Sequence, residues 1–103
     1  MDKAEALKIA NHYIDTLSSK YAILQAFMFG SFAKGTNHAD SDIDIAIVVK
    51  NVADIIDTQI DMMKMRRKVD LRIEPHPFLS EDFNKDNPVV SEILKSGIQI
   101  KQQ

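Results

Sequence analysis

Gly30-Ser31-Phe32-Ala33-Lys34-Gly35 and, one polar turn later, Ser41-Asp42-Ile43-Asp44-Ile45-Ala46-Ile47-Val48-Val49 are the stretches whose residue types and spacing suit catalysis. Successive side chains of a β-strand point to opposite faces, so Asp42 and Asp44 share one face while Ile43, Ile45 and Ile47 take the other. Two carboxylates held this close in a dry site repel, and one stays protonated unless a cation neutralises both. A divalent metal is the simplest resolution. The run from Ile43 to Val49, β-branched apart from Asp44 and Ala46, favours strand over helix and puts the acidic pair at the strand's leading end. The competing reading is that Ser41-Asp42 caps a helix.

Ala22 to Phe29 is apolar except for Gln25 and stops at Gly30-Ser31, the pattern of a strand entering a tight turn. A short helix opened by Ser31 would aim free N–H groups and the Ser31 hydroxyl past the strand end, where anions are favoured. Glycine at position 30 leaves room for a phosphate to approach the backbone. Gly-Ser occurs in many ordinary turns, so its weight here comes from the acidic strand that follows. A metal-free, purely structural role for these residues is the alternative.

Gly30-Ser31, ten intervening residues and Asp42-Ile43-Asp44 resemble the signature of the nucleotidyltransferase superfamily typified by DNA polymerase β. Within it, Gly-Ser-Phe-Ala-Lys-Gly before Ser-Asp-Ile-Asp-Ile-Ala is similar to the minimal nucleotidyltransferases, and the likeness covers nearly the whole chain. Lys34 stands where that family commonly has arginine, which keeps the charge but not bidentate phosphate recognition. The resemblance implies an α/β fold of the α+β kind, a small mixed sheet flanked by helices on one side. It implies Asp42, Asp44 and a third acid, Asp70, as catalytic residues holding magnesium, with two ions expected. Asp70 would also accept the attacking group's proton, and Gly30 and Ser31 would hold the phosphates of a nucleoside triphosphate. ATP as that nucleotide comes from the family alone. Members of the family are found with a small helical HEPN protein as a toxin–antitoxin pair, in which the transferase adds AMP to its partner, often on tyrosine. A protein adenylyltransferase antitoxin, in a homo- or hetero-oligomer, is the function implied.

Composition narrows the setting. At 103 residues one domain spanning 1–103 is expected, with a core less completely buried than in larger proteins. Lys and Arg number 13 against 15 Asp and Glu, so the chain lacks the basic footprint that free nucleic acid requires. There is no cysteine, which excludes disulfides and thiolate zinc and fits a cytoplasmic setting. Met1-Asp2-Lys3-Ala4-Glu5 lacks the pattern of a signal peptide, and no apolar run is long enough to span a membrane.

The elements that must position the site follow from periodicity. Asp2 can cap a first helix with Leu7, Ala10, Ile14 and Leu17 on one face, ending at Ser18-Ser19-Lys20. Thr36 to Asp40 reads as a loop, with His38 solvated; His12 and His76 have weaker claims to the site. A helix is expected from Ala53 to Arg67, with Val52, Ile56, Ile60 and Met63 as its stripe and Ile55, Met62 and Met65 widening it. That arc is broader than one sheet contact needs, which fits a docked partner as well as a core. Arg66-Arg67-Lys68 ends the helix where cations are favoured, and a contact with triphosphate is the second role open to it. Val69-Asp70-Leu71-Arg72-Ile73 alternates as a strand with Val69, Leu71 and Ile73 inward, and Pro75-His76-Pro77 is expected to stop it. Glu74 is the runner-up to Asp70 as third acid. Ser80 to Phe83 reads as a turn or short helix. Asn87 then caps a helix with Pro88 first, Val90, Ile93 and Leu94 buried and Gly97 beyond its end, before an edge strand Ile98 to Ile100.

Two other functions fit the same residues. One is a binding module that neutralises its partner by occlusion with idle carboxylates. The other is a small-molecule transferase of the antibiotic-modifying type, which needs an acceptor pocket that few residues remain to build.

Overall fold

The computed structural model describes residues 1–102, with side chains through Lys101. Its elements are α1 (Lys3–Ser18), β1 (Ala22–Phe29), α2 (Ser31–Lys34), β2 (Ile43–Lys50), α3 (Ile55–Met65), β3 (Ile73–Leu79), α4 (Pro88–Ser96) and β4 (Ile98–Gln102). The strands form one mixed sheet in the order β3-β2-β1-β4. β1 runs antiparallel to both β2 and β4, while β2 and β3 are parallel and joined through α3. Parallel neighbours need such a crossover. This is the mixed α/β architecture expected of the sequence.

Alternation along β2 gives the sheet two different faces. Ile43, Ile45, Ile47 and Val49 are buried against Ala6, Ala10, Tyr13, Ile14 and Leu17 of α1 and Met62 of α3. Tyr13 donates its hydroxyl hydrogen to the Met62 carbonyl at 2.7 Å, which ties the two helices together without leaving a buried polar group unpaired. Ala46, of opposite parity, packs with Phe27 and with Ile93 of α4, flanked by Phe29, Phe78 and Phe83. The helices are therefore not all on one side, because α4 closes part of the second face. Its amide ends are satisfied as the sequence predicts, with the Asn87 side chain accepting from the Val89 and Val90 N–H groups.

Three expectations need correction. β3 starts at Ile73 and runs through Pro75 and Pro77, whereas alternation had placed a strand at Val69–Ile73. Proline is tolerated because β3 is an edge strand: residues at alternate positions turn their backbone groups away from β2, and both prolines occupy that outward parity. The outward carbonyls of Ile73 and Pro75 are taken by the side chains of Arg66 and Gln59. Val69 to Arg72 instead form the turn leading into β3, and Leu71 is 66% exposed. In α3, which begins only after Asp54 caps the Ile56 and Asp57 N–H groups, Thr58 and Met62 are buried while Ile56 and Ile60 of the expected stripe face solvent. Leu94 of α4 is likewise exposed. No helix among the described residues is long and apolar enough to cross a membrane.

Candidate active site

The end of β1 and the start of β2 lie side by side, with Phe29 opposite Asp44. The chain turns between them through Gly30, whose φ of +76° is a conformation side chains rarely adopt. A Cβ on Gly30 would fall 2.5 Å from Asp44 Oδ2. The glycine thus lets the carboxylate lie directly against the turn, a closer relation than sequence spacing implied. Ser31 opens the single-turn helix α2, whose Lys34 N–H closes on the Gly30 carbonyl at 3.1 Å. The N–H groups before Lys34 have no acceptor within the helix. Gly35 ends the turn in the left-handed conformation.

Asp42 lies immediately before β2 and is exposed, while Asp44, one residue inside it, has a side chain 27% exposed. Ser41 anchors this entry: its hydroxyl accepts the His38 N–H at 2.9 Å, and its own N–H reaches the His38 carbonyl at 3.1 Å. His38 itself accepts the Asp40 N–H through Nδ1. These bonds shape the loop.

The third acid of the sequence reading is displaced. Asp70 sits in the turn before β3, where Arg72 donates to both of its carboxylate oxygens at 2.9 and 2.7 Å. Those hydrogen bonds hold the Asp70 carboxyl below the usual range, ahead of the opposing effect of burial. The residue in register with Asp44 on β3 is Glu74. Its carboxylate is 3.7 Å from the Arg66 guanidinium. The displacement follows from the late start of β3, which moves Glu74 rather than Asp70 beside β2.

His76, given only a weak claim by its sequence context, stands at the site. Two positions beyond Glu74 on the same parity, it reaches Asp44 Oδ1 with Nε2 at 3.1 Å. Its ring stands edge-on to Phe29, centroids 5.1 Å apart. The flanking prolines were the available signal, since an edge strand with proline at alternate positions turns the residue between them toward the face of Asp44. Lys34 is engaged away from the turn, 2.6 Å from Glu92 of α4, and this contact holds the Glu92 carboxyl below the usual range.

Among the described residues no three His, Asp or Glu side chains form a ready-made metal cage. The donors nonetheless have the chemistry for a hard cation that takes part of its coordination from substrate phosphates, as magnesium usually does.

The sequence profile of the family described as "Polymerase beta, Nucleotidyltransferase" matches residues 11–103. No functionally curated protein matches significantly. Among solved structures, one chain of a toxin–antitoxin complex with AMP-PNP is 22% identical, with a TM-score of 0.68 over 90% of this chain and 73% of that one. A candidate nucleotidyltransferase from Sulfolobus solfataricus is 21% identical, with a TM-score of 0.68 over 98% of this chain and 84% of that one. A chain of the toxin–antitoxin complex MntA–HepT is 18% identical, with a TM-score of 0.59 over 92% and 71%. At these identities the likeness is one of fold.

Proposed function

The chain belongs to the polymerase β-type nucleotidyltransferase family, and from that premise we propose that it transfers AMP from ATP to a protein acceptor, acting as the antitoxin of a pair whose toxin is a small helical HEPN protein. The observation that carries the transferase reading is the contact of an amide-presenting turn with a carboxylate, Gly30 against Asp44, at one open end of the sheet. The toxin–antitoxin complexes among the structures of like fold support the antitoxin role. So does the solvent-facing pair Ile56 and Ile60 of α3, an apolar strip suited to a helical partner.

In this reading Asp42 and Asp44 would hold magnesium, two ions in the fullest arrangement, with a carboxylate at the head of β3 to complete the set. Register favours Glu74 for that place, while Asp70, clasped by Arg72, shapes the turn. When bound, magnesium would neutralise the triphosphate and activate the attacking oxygen. The Ser31 hydroxyl and the free amides of α2 hold the outer phosphates, where backbone donors fix anions. An acceptor hydroxyl, tyrosine in the expected partner, attacks the α-phosphorus. The new P–O bond forms as the bond to the pyrophosphate oxygen breaks, and the hydroxyl proton passes to a site carboxylate. Most of the acceleration comes from positioning and from groups already placed where charge develops.

The test is incubation of the purified chain with magnesium, α-labelled ATP and the protein encoded beside it, with the Asp42→Asn, Asp44→Asn double variant in parallel. Label on the partner that disappears in the variant is the expected result. Tight association without label, unchanged in the variant, would replace the transferase with an occluding binding module. Label on a small aminoglycoside-like acceptor instead of the protein would select the small-molecule reading.

A further inference from the structure

We infer that His76 is a positioning residue for Asp44: it holds Oδ1 so that Oδ2 is presented to the Gly30–Ser31 turn. The inference rests on the reading of Asp44 as a metal-holding carboxylate. The two oxygens of Asp44 have different surroundings. Oδ1 lies 3.1 Å from His76 Nε2, and Oδ2 lies in the space that a Cβ on Gly30 would occupy. An ionised carboxylate only accepts hydrogen bonds, so the histidine nitrogen facing it carries the hydrogen and donates. The imidazole is itself held, because Phe29, the residue opposite Asp44 on β1, stands edge-on against its ring, and Pro75 and Pro77 fix the backbone on either side.

This arrangement bears on metal binding before any chemistry takes place. A short carboxylate side chain turns about χ1 and χ2, and an oxygen aimed by a neighbour presents itself to a cation at a lower entropic cost. Hydrogen-bonding partners of ligating side chains typically contribute about 10–100-fold in metal affinity. His76 acts here through Asp44; its Nε2 is directed at the carboxylate rather than at open solvent.

Mn2+ serves as the probe, with its dissociation constant measured by EPR in the presence of AMP-PNP for the full chain and four variants. His76→Phe keeps a ring on Phe29 and removes the donor, whereas His76→Gln keeps an N–H donor at comparable reach. The expected result is Mn2+ affinity about 10-fold or more weaker in His76→Phe, and within about 3-fold of the wild type in His76→Gln. Pulsed EPR should show no histidine nitrogen coupled to the ion. His76→Ala, also without a donor, should match His76→Phe, and it carries the comparison if the larger ring does not fold. Asp44→Asn separates the positioning role of His76 from the metal-holding role of Asp44. If Asp44→Asn weakens Mn2+ and the donor-less His76 variants do not, the positioning role is overturned while the metal site stands. If Asp44→Asn binds Mn2+ like the wild type, the metal reading of Asp44 fails. A directly coupled histidine nitrogen would make His76 a ligand and overturn the positioning role.

Discussion

The two ends of the sheet both carry aspartates, and they treat them in opposite ways. At the start of β1, Asp61 of α3 receives a hydrogen bond from the Tyr21 hydroxyl and lies 2.7 Å from the Lys20 ammonium. Those two partners, lysine first, hold its carboxyl below the usual range. Asp54 nearby is occupied in capping α3. At the other end, Asp44 has a histidine on one oxygen and a bare glycine beside the other, and Asp42 stands exposed at the strand's mouth. Both regions are acidic, but at the second Asp44 Oδ2 lies directly against the glycine turn and Asp42 stands exposed beside it. An aspartate held by a lysine and a tyrosine, as Asp61 is, belongs to the scaffold; one with an oxygen set against a glycine turn, as Asp44 is, belongs to a candidate site.

The largest effect that could break this contrast is loss of the Asp42 and Asp44 carboxylates. Asp42→Asn with Asp44→Asn is expected to lower transfer by about 1,000-fold, roughly 4 kcal/mol of transition-state stabilisation, while the melting temperature stays within a few degrees. Equal damage from Asp61→Asn would erase the distinction between the ends. Next is Gly30→Ala, which meets both the positive φ and the Asp44 carboxylate. It should destabilise the fold by about 2 kcal/mol in denaturant titration and lower activity beyond what stability explains. Glu74→Gln set against Asp70→Asn sharpens the site end. The first should reduce kcat by about 10-fold or more with little change in stability, whereas the second should weaken the β3 turn and spare kcat.

The smallest effect belongs to the matched end. Tyr21 is pushed up to about 12, first by burial and then by its hydrogen bond to Asp61. A raised tyrosine pKa favours the neutral phenol in the folded state, so this stabilisation is fully present below about pH 10. It is lost as pH rises toward 12. Tyr21→Phe should cost about 1 kcal/mol at neutral pH and flatten that alkaline decline in thermal melts. Asp61, with its lowered pKa, contributes in the opposite direction. Its stabilisation is present above about pH 4 and fades as pH falls through the depressed value.

Much of the site end was legible from local pattern. The apolar run to Phe29, the Gly-Ser turn and the β-branched strand after Asp44 announce β1, α2 and β2, because each element is specified by residues adjacent in sequence. The partnership of Asp44 with His76 and the register with Glu74 were not legible, as they depend on where β3 begins. Alternation in Val69–Ile73 is a true period-2 pattern, but the first four residues form a turn that leaves Leu71 exposed, and only Ile73, which opens β3, is buried. Likewise α3 had apolar residues on too wide an arc for periodicity to select the buried side. The sheet chose Thr58 and Met62 and left Ile56 and Ile60 outside.

The sequence by itself determined the family, the turn and the strand that bears Asp42 and Asp44, since those rest on nearest-neighbour chemistry along the chain. Only the tertiary structure decided which acid on β3 stands beside Asp44, which histidine reaches it and why position 30 must be glycine. Each of those depends on the parallel register of β3 against β2, or on the approach of a turn to a neighbouring strand. A strand's own residues do not encode that alignment until the core beneath them has fixed it.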